Sequence, residues 1–218
     1  MANEGERPQA IRQLATYDMM LIDDTSMWYE ENASDFFDRT HDVDMRNIYR
    51  TFLRYIPEGG KILDAGCGSG RDTKAFNELG FDVTAMDGAK AVVELAKDFT
   101  GLEVLQMRFS DLKWESEFDG VWTCASLLHV PSAEIDNVFS LFARALKPGG
   151  VWYLSFVRGM GERVSESGRR YVDFETDALT ERLDANPDLL MKDVWFTRDR
   201  RPEEKRKFWT NAIVKRKQ

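Results

Sequence analysis

The apolar residues of the chain form short runs that alternate with stretches of helical spacing. Apolar runs typical of buried strands lie at 61–65 (KILDA), 81–87 (FDVTAMD), 102–107 (LEVLQM), 118–126 (FDGVWTCAS) and 150–157 (GVWYLSFV). Between these runs, the spacing of apolar residues predicts helices at 70–79, 89–98 and 132–146. Strands that alternate with helices in this way predict βαβ units around a parallel sheet.

The two ends of the chain extend this pattern. Helical spacing over 25–56 stops at Pro57, which predicts an N-terminal helical cap over 25–57. After Thr176 we expect one more helix, then a closing hairpin of LLMKDVWFTRD (189–199) and KFWTNAIVKRK (207–217). The predicted fold class is α/β: a doubly wound, mostly parallel sheet of seven strands, with a C-terminal antiparallel hairpin and the N-terminal helical cap.

Length and composition indicate a single domain over residues 1–218. Apolar residues make up 43% of the chain and charged residues 31%, as in globular proteins. Residues 1–24 are polar and irregular, so we expect a flexible extension there. Residues 158–175 form a long, glycine-punctuated connection, which is typical of mobile binding loops, and we expect them to cover a substrate.

Charge and cysteine content indicate the partners and the cellular compartment of the protein. The net charge of −8 argues against a broad nucleic-acid surface, and no apolar run approaches the roughly 18 residues of a membrane span. Cys67 and Cys124 are the only cysteines, too few for a disulfide framework. We therefore expect a protein of the reducing cytoplasm that has no nucleic-acid or membrane partner.

The stretch GKILDAGCGSGRDTKAF carries the most informative motif. It leads from a strand into Gly66, Gly68 and Gly70 where a helix begins, an arrangement that forms nucleotide-binding corners. A nicotinamide fingerprint, G-x-G-x-x-G, would place its third glycine where Arg71 stands. Asp87 follows Gly66 by 21 residues, at the end of the second strand, and can accept hydrogen bonds from both hydroxyls of a ribose.

Four stretches, in chain order, resemble the class I S-adenosylmethionine-dependent methyltransferases: LDAGCGSGRD, VTAMD, FDGVWTCASLLHV and LKPGGVWYLSF. The resemblance covers residues 25–216. The CG-x-GR after the first strand is similar to that of the small bacterial tellurite-resistance methyltransferases. The resemblance implies a Rossmann-like fold, S-adenosyl-L-methionine as the cofactor without a metal, and in-line transfer of a methyl group.

The resemblance also implies which residues bind the cofactor. They are Tyr29, Asp64, Ala65, Gly66, Cys67, Gly68, Gly70, Arg71, Met86, Asp87, Gly88, Arg108, Phe109, Cys124 and Ala125. Asp64 would reach the ammonium of the cofactor, directly or through a water, and Tyr29 would reach the cofactor from the cap. Arg71 would meet its carboxylate, with a solvated helix position as the alternative for this residue.

The adenine-binding triplet of the family is replaced in this chain. Many members carry a GDA-like triplet after the third strand, whose aspartate accepts a hydrogen bond from adenine. Here Met107, Arg108 and Phe109 stand instead. Adenine would then be held by stacking and backbone contacts, with Met86 and Phe109 as walls. Asp111 either replaces the missing carboxylate or serves as a helix cap or surface residue.

The predicted substrate side contains several residues with two interpretations each. His129 follows the fourth strand and is either a structural residue or a catalytic base. The cover segment carries four arginines that either hold an anionic substrate or form a solvated charge run: Arg158, Arg163, Arg169 and Arg170. We expect the basic C-terminal hairpin to be solvated surface.

The predicted function is transfer of a methyl group to a small-molecule or metalloid acceptor. The acidic net charge favours it, and CASLLHVP stands where amino-methylating DNA enzymes carry an N/D-P-P-Y/F tetrapeptide. One alternative is a nucleic-acid or protein methyltransferase, supported by the basic stretch RDRRPEEKRKFWTNAIVKRK. Another is a fold relative that uses the adenosyl cofactor for a different reaction or only for binding.

Overall fold

The computed structural model of the chain describes residues 25–201 and 207–218, so the predicted extension over 1–24 lies outside the described residues. The helices within them are α1 (25–31), α2 (Ala33–Asp38), α3 (Arg46–Leu53), α4 (Arg71–Glu78), α5 (Lys90–Thr100), α6 (Ile135–Ala145) and α7 (Thr176–Asp184). The strands are β1 (Lys61–Ala65), β2 (Asp82–Asp87), β3 (Val104–Gln106), β4 (Phe118–Thr123), β5 (Leu146–Val157), β6 (Gly161–Val164), β7 (Arg170–Asp173), β8 (Leu189–Arg198) and β9 (Phe208–Arg216).

Seven of these strands form one sheet in the order β3-β2-β1-β4-β5-β9-β8. The first five are parallel to one another, and β9 runs antiparallel to both β5 and β8. The predicted seven-stranded, mostly parallel sheet with a C-terminal antiparallel hairpin is therefore confirmed. The strand order reverses between β1 and β4, and ligands bind at such a switch point in doubly wound sheets.

Aromatic side chains cover both faces of the central strands. On one face, the Trp122 ring of β4 stacks on Tyr153 of β5 with centroids 4.0 Å apart, and Phe76 of α4 packs edge-on against Trp122. On the other face, Trp152 packs against Phe142 of α6. The predicted strands are near-continuous apolar runs because helices cover the sheet on both sides.

The helical cap is broken into three short helices. α2 ends at Asp38, and the hydroxyl of Thr40 donates to the carbonyl of Phe36 at 2.7 Å in the turn that follows. α3 begins at Arg46 and buries Phe52 against the sheet. The break lets the cap curve over the carboxyl edge instead of continuing as one rod.

The cover segment contains a hairpin that its glycine-rich sequence did not predict. β6 and β7 pair antiparallel, and Gly168 closes the turn with φ +82° while its N–H donates to the carbonyl of Ser165 at 2.9 Å. Glycine adopts this left-handed conformation without strain. Because β5 ends at the carboxyl edge of the sheet, the hairpin that follows it also lies there.

Strand direction also decides where the C-terminal hairpin turns. β8 is antiparallel to β9, which is antiparallel to β5, so β8 runs in the same direction as β5. The end of β8 at Arg198 and the start of β9 at Phe208 therefore lie at the carboxyl edge, on the same side as the end of β2.

Candidate functional site

A cavity of about 460 Å³ opens at the carboxyl edge of the sheet. Its floor comes from the segments that follow the parallel strands: 66–69, 87–89, 107–110 and 124–126. Its roof includes Tyr29 of α1, Tyr171 of β7 and Arg200 from the β8–β9 turn. The sheet edge, the cap and both hairpins thus enclose one space.

The glycine turn after β1 is shaped by its neighbours. Gly66 and Gly68 have φ values of +73° and +56°, which non-glycine residues rarely adopt. A Cβ on Gly66 would collide with the side chain of Ser126, and one on Gly68 would lie 3.1 Å from the ring of Phe36. The glycines are therefore needed for packing against β4 and the cap, in addition to any contact with a ligand.

Asp87 fastens the glycine turn to the end of β2. Its carboxylate accepts hydrogen bonds from the backbone N–H groups of Gly68 at 3.0 Å and Ala89 at 3.1 Å. Burial raises the pKa of this carboxyl above its ordinary value, and the N–H donors oppose that rise. Asp87 lines the cavity, and each carboxylate oxygen keeps acceptor capacity for a ligand hydroxyl.

Arg71 lines the cavity but forms a bidentate pair with its neighbour Asp72. Its Nε and Nη2 atoms donate to the Asp72 carboxylate at 2.6 and 2.9 Å. Asp72 also accepts hydrogen bonds from the hydroxyl of Tyr49 and from Nε1 of Trp122, the latter at 2.7 Å. Burial alone would raise the Asp72 pKa, but the adjacent guanidinium and these donors hold it below its ordinary value. The sequence did not predict this buried network, because Asp72 has the position of an ordinary acidic residue in the first turn of α4.

Asp64 does not line the cavity, which argues against direct contact with an ammonium group and leaves contact through a water as the prediction. Its side chain is buried and accepts a hydrogen bond from the hydroxyl of Thr73 at 2.6 Å. Burial, with a further contribution from Asp72, raises the pKa of this carboxyl to about 8. The hydrogen bond between Thr73 and Asp64 holds α4 against β1.

Three other predicted cofactor residues lie beside the cavity without lining it. The side chain of Met86 is fully buried in the core, so it does not form the expected adenine wall. The carbonyl of Ala65 accepts a hydrogen bond from Ser126 at 2.8 Å. Gly70 caps α4 and packs against α5. The remaining predicted residues line the cavity: Tyr29, Gly66, Cys67, Gly68, Arg71, Asp87, Gly88, Arg108, Phe109, Cys124, Ala125 and His129.

The segment after β3 brings an aromatic wall and no acidic side chain into the cavity. Met107, Arg108 and Phe109 line it, and the Phe109 ring packs against Phe142 with centroids 5.5 Å apart. Asp111 accepts a hydrogen bond from the Arg108 N–H at 3.4 Å, which supports its predicted role as a helix cap.

His129 is held in one tautomer by two hydrogen bonds. Its Nδ1–H donates to the carbonyl of Arg170 at 2.6 Å, and its Nε2 accepts from the hydroxyl of Tyr29 at 2.9 Å. Burial lowers the pKa of this imidazole to about 4, with help from the nearby Arg169 charge. His129 is therefore neutral at pH 7 and joins the cap to β7, as the structural interpretation expects.

The titration of His129 leads to a pH prediction. An unfolded histidine titrates near 6.5, so its contribution to stability is complete above that pH and is lost as pH falls toward 4. We expect the unfolding free energy of the wild type to fall in this window by up to about 1.4 kcal/mol per pH unit relative to His129→Gln. Urea unfolding of both proteins at a series of pH values measures this, and parallel curves would contradict it.

The four arginines of the cover segment have different partners. Arg158 pairs with Glu175 at 2.9 Å, Arg163 pairs with Asp173 at 2.5 Å, and the buried Arg170 pairs with Glu162. Arg169, by contrast, lines the cavity. Of these four arginines, Arg169 is therefore the one in position to contact a substrate.

The basic C-terminal hairpin is not simply solvated surface, contrary to expectation. Its turn brings basic and aromatic side chains to the cavity: Arg198, Arg200, Arg201, Lys207 and Trp209. Arg216 donates to the carbonyls of Leu146 and Arg144, the latter at 3.1 Å, and thereby anchors the far end of the hairpin. Lys205 and Arg206 lie outside the described residues.

The end of β4 adds a strained residue to the cavity wall. Ala125 has φ +55°, a conformation that costs free energy in a residue with a Cβ, and its N–H donates to the hydroxyl of Ser155 at 2.8 Å. Its neighbour Cys124 has a pKa raised by burial to about 12, and burial raises that of Cys67 as well. Both thiols are free and stay protonated at neutral pH.

Among residues 25–201 and 207–218, no cluster of three or more His, Cys, Asp or Glu side chains could hold a metal ion. In the same part of the chain, no helix is long and apolar enough to cross a membrane.

Known proteins resemble the central part of the sequence. Residues 62–150 match the family model described as a methyltransferase domain. An uncharacterized methyltransferase of Synechocystis is 30% identical over 119 residues, covering 54% of this chain and 53% of that protein. A ubiquinone biosynthesis O-methyltransferase of Xanthomonas oryzae is 39% identical over 106 residues, covering 44% of this chain and 43% of that protein. The chain thus spans about half the length of the curated relatives it matches.

Solved structures resemble nearly the whole chain. A Burkholderia thailandensis 1,6-didemethyltoxoflavin-N1-methyltransferase, with bound 1,6-didemethyltoxoflavin and S-adenosylhomocysteine, has a TM-score of 0.74 at 23% identity, covering 94% of this chain and 90% of that chain. A SAM-dependent methyltransferase of Methanosarcina mazei has a TM-score of 0.70 at 20% identity, covering 78% and 98%. The cyclase SpnF has a TM-score of 0.64 at 17% identity, covering 78% and 81%. The chain has the Rossmann-like fold of the S-adenosylmethionine-dependent methyltransferases, and residues 62–150 match their methyltransferase domain.

Proposed function

We propose that this protein is an S-adenosylmethionine-dependent methyltransferase that acts on a small-molecule acceptor in the cytoplasm. The observation that carries the proposal is the hydrogen bond between the Gly68 N–H and the Asp87 carboxylate. It joins the glycine turn to the end of β2 in one cavity at the switch point of the sheet. The match of residues 62–150 to a methyltransferase domain supports the same activity. The methyltransferase of B. thailandensis, which acts on a small molecule and shares the fold, supports the acceptor class.

The residues that line the cavity fit the cofactor. Asp87 offers carboxylate oxygens to the ribose hydroxyls, and Met107 and Phe109 offer apolar walls to adenine. Arg71 has five N–H donors, of which Asp72 takes two and the carbonyl of Thr40 and the sulfur of Cys124 take one each, so one Nη1–H remains for the carboxylate of the cofactor.

The chain contributes positioning and exclusion of water to the proposed reaction. When bound, S-adenosylmethionine supplies an electrophilic methyl group, whose bond to sulfur breaks as the acceptor's nucleophilic atom forms a bond to its carbon. Alignment of the reacting atoms supplies much of the rate in such a transfer. Cys67 and Cys124 keep their protons and serve as walls of the cavity.

The proposed cover over the acceptor consists of the cap (25–57) and the segment 158–175. The contacts between them support this assignment: the Arg170 N–H donates to the hydroxyl of Thr25 at 2.9 Å, and His129 bridges the hydroxyl of Tyr29 and the carbonyl of Arg170. On the other side of α1, Glu30 accepts the Lys90 and Ala91 N–H groups at the start of α5. A cover held by hydrogen bonds on both sides would exclude water from the reacting atoms.

Cofactor binding is the first test of this function. We expect calorimetry to show that the protein binds S-adenosylmethionine and S-adenosylhomocysteine with a Kd in the range of about 1–100 μM, and that it does not bind NAD. Arg71 occupies the place of the third glycine of the dinucleotide fingerprint, so a pyrophosphate would meet a side chain there. Tight NAD binding without binding of the adenosyl compounds would contradict the proposal.

Product analysis separates methyl transfer from the alternatives. The cyclase SpnF shares the fold, so the fold does not specify the reaction. Incubation with labelled methyl donor and pools of metabolites, RNA and protein should place label in the metabolite pool and release S-adenosylhomocysteine. Label in RNA or protein would favour the macromolecular alternative. Label on a tellurium compound would support the narrower resemblance to the tellurite-resistance enzymes.

A further inference from the structure

The cavity is electropositive although the protein is acidic. Among the described residues, eight arginine or lysine side chains line it: Arg39, Arg71, Arg108, Arg169, Arg198, Arg200, Arg201 and Lys207. Four carboxylates line it: Asp72, Asp87, Glu134 and Asp199. The whole chain, by contrast, carries a net charge of −8. Concentration of positive charge in an acidic protein's cavity favours a negatively charged occupant.

The positive charge is concentrated at the end of the cavity that the proposed cofactor residues do not use. Arg198 and Arg200 come from the end of β8 and the residues just after it, and four strands separate β8 from β2 in the sheet. Arg169 comes from the cover segment, next to β7. Arg71 and Arg201, in contrast, pair with Asp72 and Asp199 respectively.

Arg169 is the best-placed anion donor of this group. Its guanidinium lies 3.7 Å from the ring centroid of Trp28 and 5.5 Å from that of Tyr171, and its Nε donates to the hydroxyl of Ser167 at 3.1 Å. Among the described residues, no carboxylate forms an ion pair with Arg169. Aromatic contacts orient this guanidinium without neutralising its charge.

Aromatic rings frame the same end of the cavity. Trp28 and Tyr29 line it from α1, Tyr171 lines it from β7, and Trp209 lines it from β9. The indole of Trp209 donates to Asp199 at 3.0 Å, which fixes its orientation. Flat, oriented rings favour a planar ligand that can stack between them.

We propose that the methyl acceptor is a planar aromatic molecule with an anionic group, held by Arg169 and Arg198 between the rings of Trp28, Tyr171 and Trp209. The inference rests on the proposed function and specifies its substrate class. The anionic group of the acceptor binds the guanidinium of Arg169, while its nucleophilic atom faces the glycine turn. In the transfer, the acceptor gains the methyl group and loses a proton to solvent if its nucleophilic atom is protonated.

A matched pair of probes tests the charge requirement. The protein is saturated with S-adenosylhomocysteine and titrated with 3-hydroxy-2-naphthoate and with its neutral amide, and binding is followed by fluorescence. We expect the naphthoate to bind at least about tenfold more tightly than the amide, because a charge-assisted hydrogen bond to a guanidinium is lost in the amide. Equal binding of the two probes, or tighter binding of the amide, would overturn the inference.

Two variants test the position of the anion site. Arg169→Gln should remove the preference for the naphthoate and change amide binding by less than about twofold. Arg158→Gln is the matched control, because Arg158 pairs with Glu175 outside the cavity, and it should leave both affinities unchanged. An unaltered preference in Arg169→Gln would overturn the assignment. If that variant does not fold, Arg198→Gln should reduce the same preference, and an unaltered preference there would also overturn it.

The design separates this inference from the proposed function. Calorimetry of S-adenosylhomocysteine alone tests the cofactor site, which contains none of the substituted arginines. If the cofactor binds and neither probe does, the acceptor class is wrong and the methyltransferase proposal stands. If the cofactor does not bind, the proposed function fails first.

Discussion

Asp87→Ala should weaken the binding of S-adenosylhomocysteine by about ten- to a hundredfold, because a charged acceptor of hydrogen bonds contributes about 1.5–3 kcal/mol. The structure adds a second reason for a large effect. The Asp87 carboxylate also accepts the N–H groups of Gly68 and Ala89, so its loss removes the bonds that hold the glycine turn against β2. The ribose site and the shape of the turn thus depend on the same side chain.

Calorimetry of the variant and of a control from the same strand measures this effect. Asp82→Ala is the control, because Asp82 is exposed at the start of β2 and should leave the affinity unchanged. Circular dichroism should show both variants folded. Asp87→Asn keeps the size of the side chain and one acceptor oxygen, so its loss should be smaller than that of Asp87→Ala. A folded Asp87→Ala with wild-type affinity would place the ribose elsewhere.

Asp72→Ala should lower the unfolding free energy by about 3–5 kcal/mol, because it leaves the buried Arg71 guanidinium without its counter-charge. The hydroxyl of Tyr49 and the indole N–H of Trp122 would lose their acceptor in the same substitution. Both rings are buried in the core, so water does not readily replace that acceptor.

Urea unfolding measures this effect, with Asp98→Ala as the control. Asp98 is exposed on α5, and its substitution should change stability by less than about 0.5 kcal/mol. Adding Arg71→Gln to Asp72→Asn should recover part of the stability that Asp72→Asn loses, because the buried charge is then removed together with its partner. Equal stability of Asp72→Ala and the control would show that the network contributes little.

Local sequence was sufficient to predict the parallel part of the fold and its nucleotide-binding corner. Apolar runs predicted β1, β4 and β5 most clearly because these strands are buried on both faces, which leaves an uninterrupted apolar signal. Gly66 and Asp87 were also predictable, since both stand at strand ends whose spacing follows from one βαβ unit. β6 and β7 were not predicted, because their exposed or short strands carry no such run.

Features that depend on residues close together in the chain could be predicted from the sequence, whereas features that depend on contacts between distant residues could not. The sequence by itself determined the order of the elements from β1 to β5 and the glycine turn, because both depend on residues close together in the chain. Only the tertiary structure decided that the Asp64 carboxyl is buried against Thr73, that Asp72 neutralises Arg71, and that His129 joins the cap to β7. It also brought Arg198 and Arg200 to the cavity. That placement depends on the direction of β8 beside β9 and β5, and strand direction is set by pairing between residues far apart in the sequence.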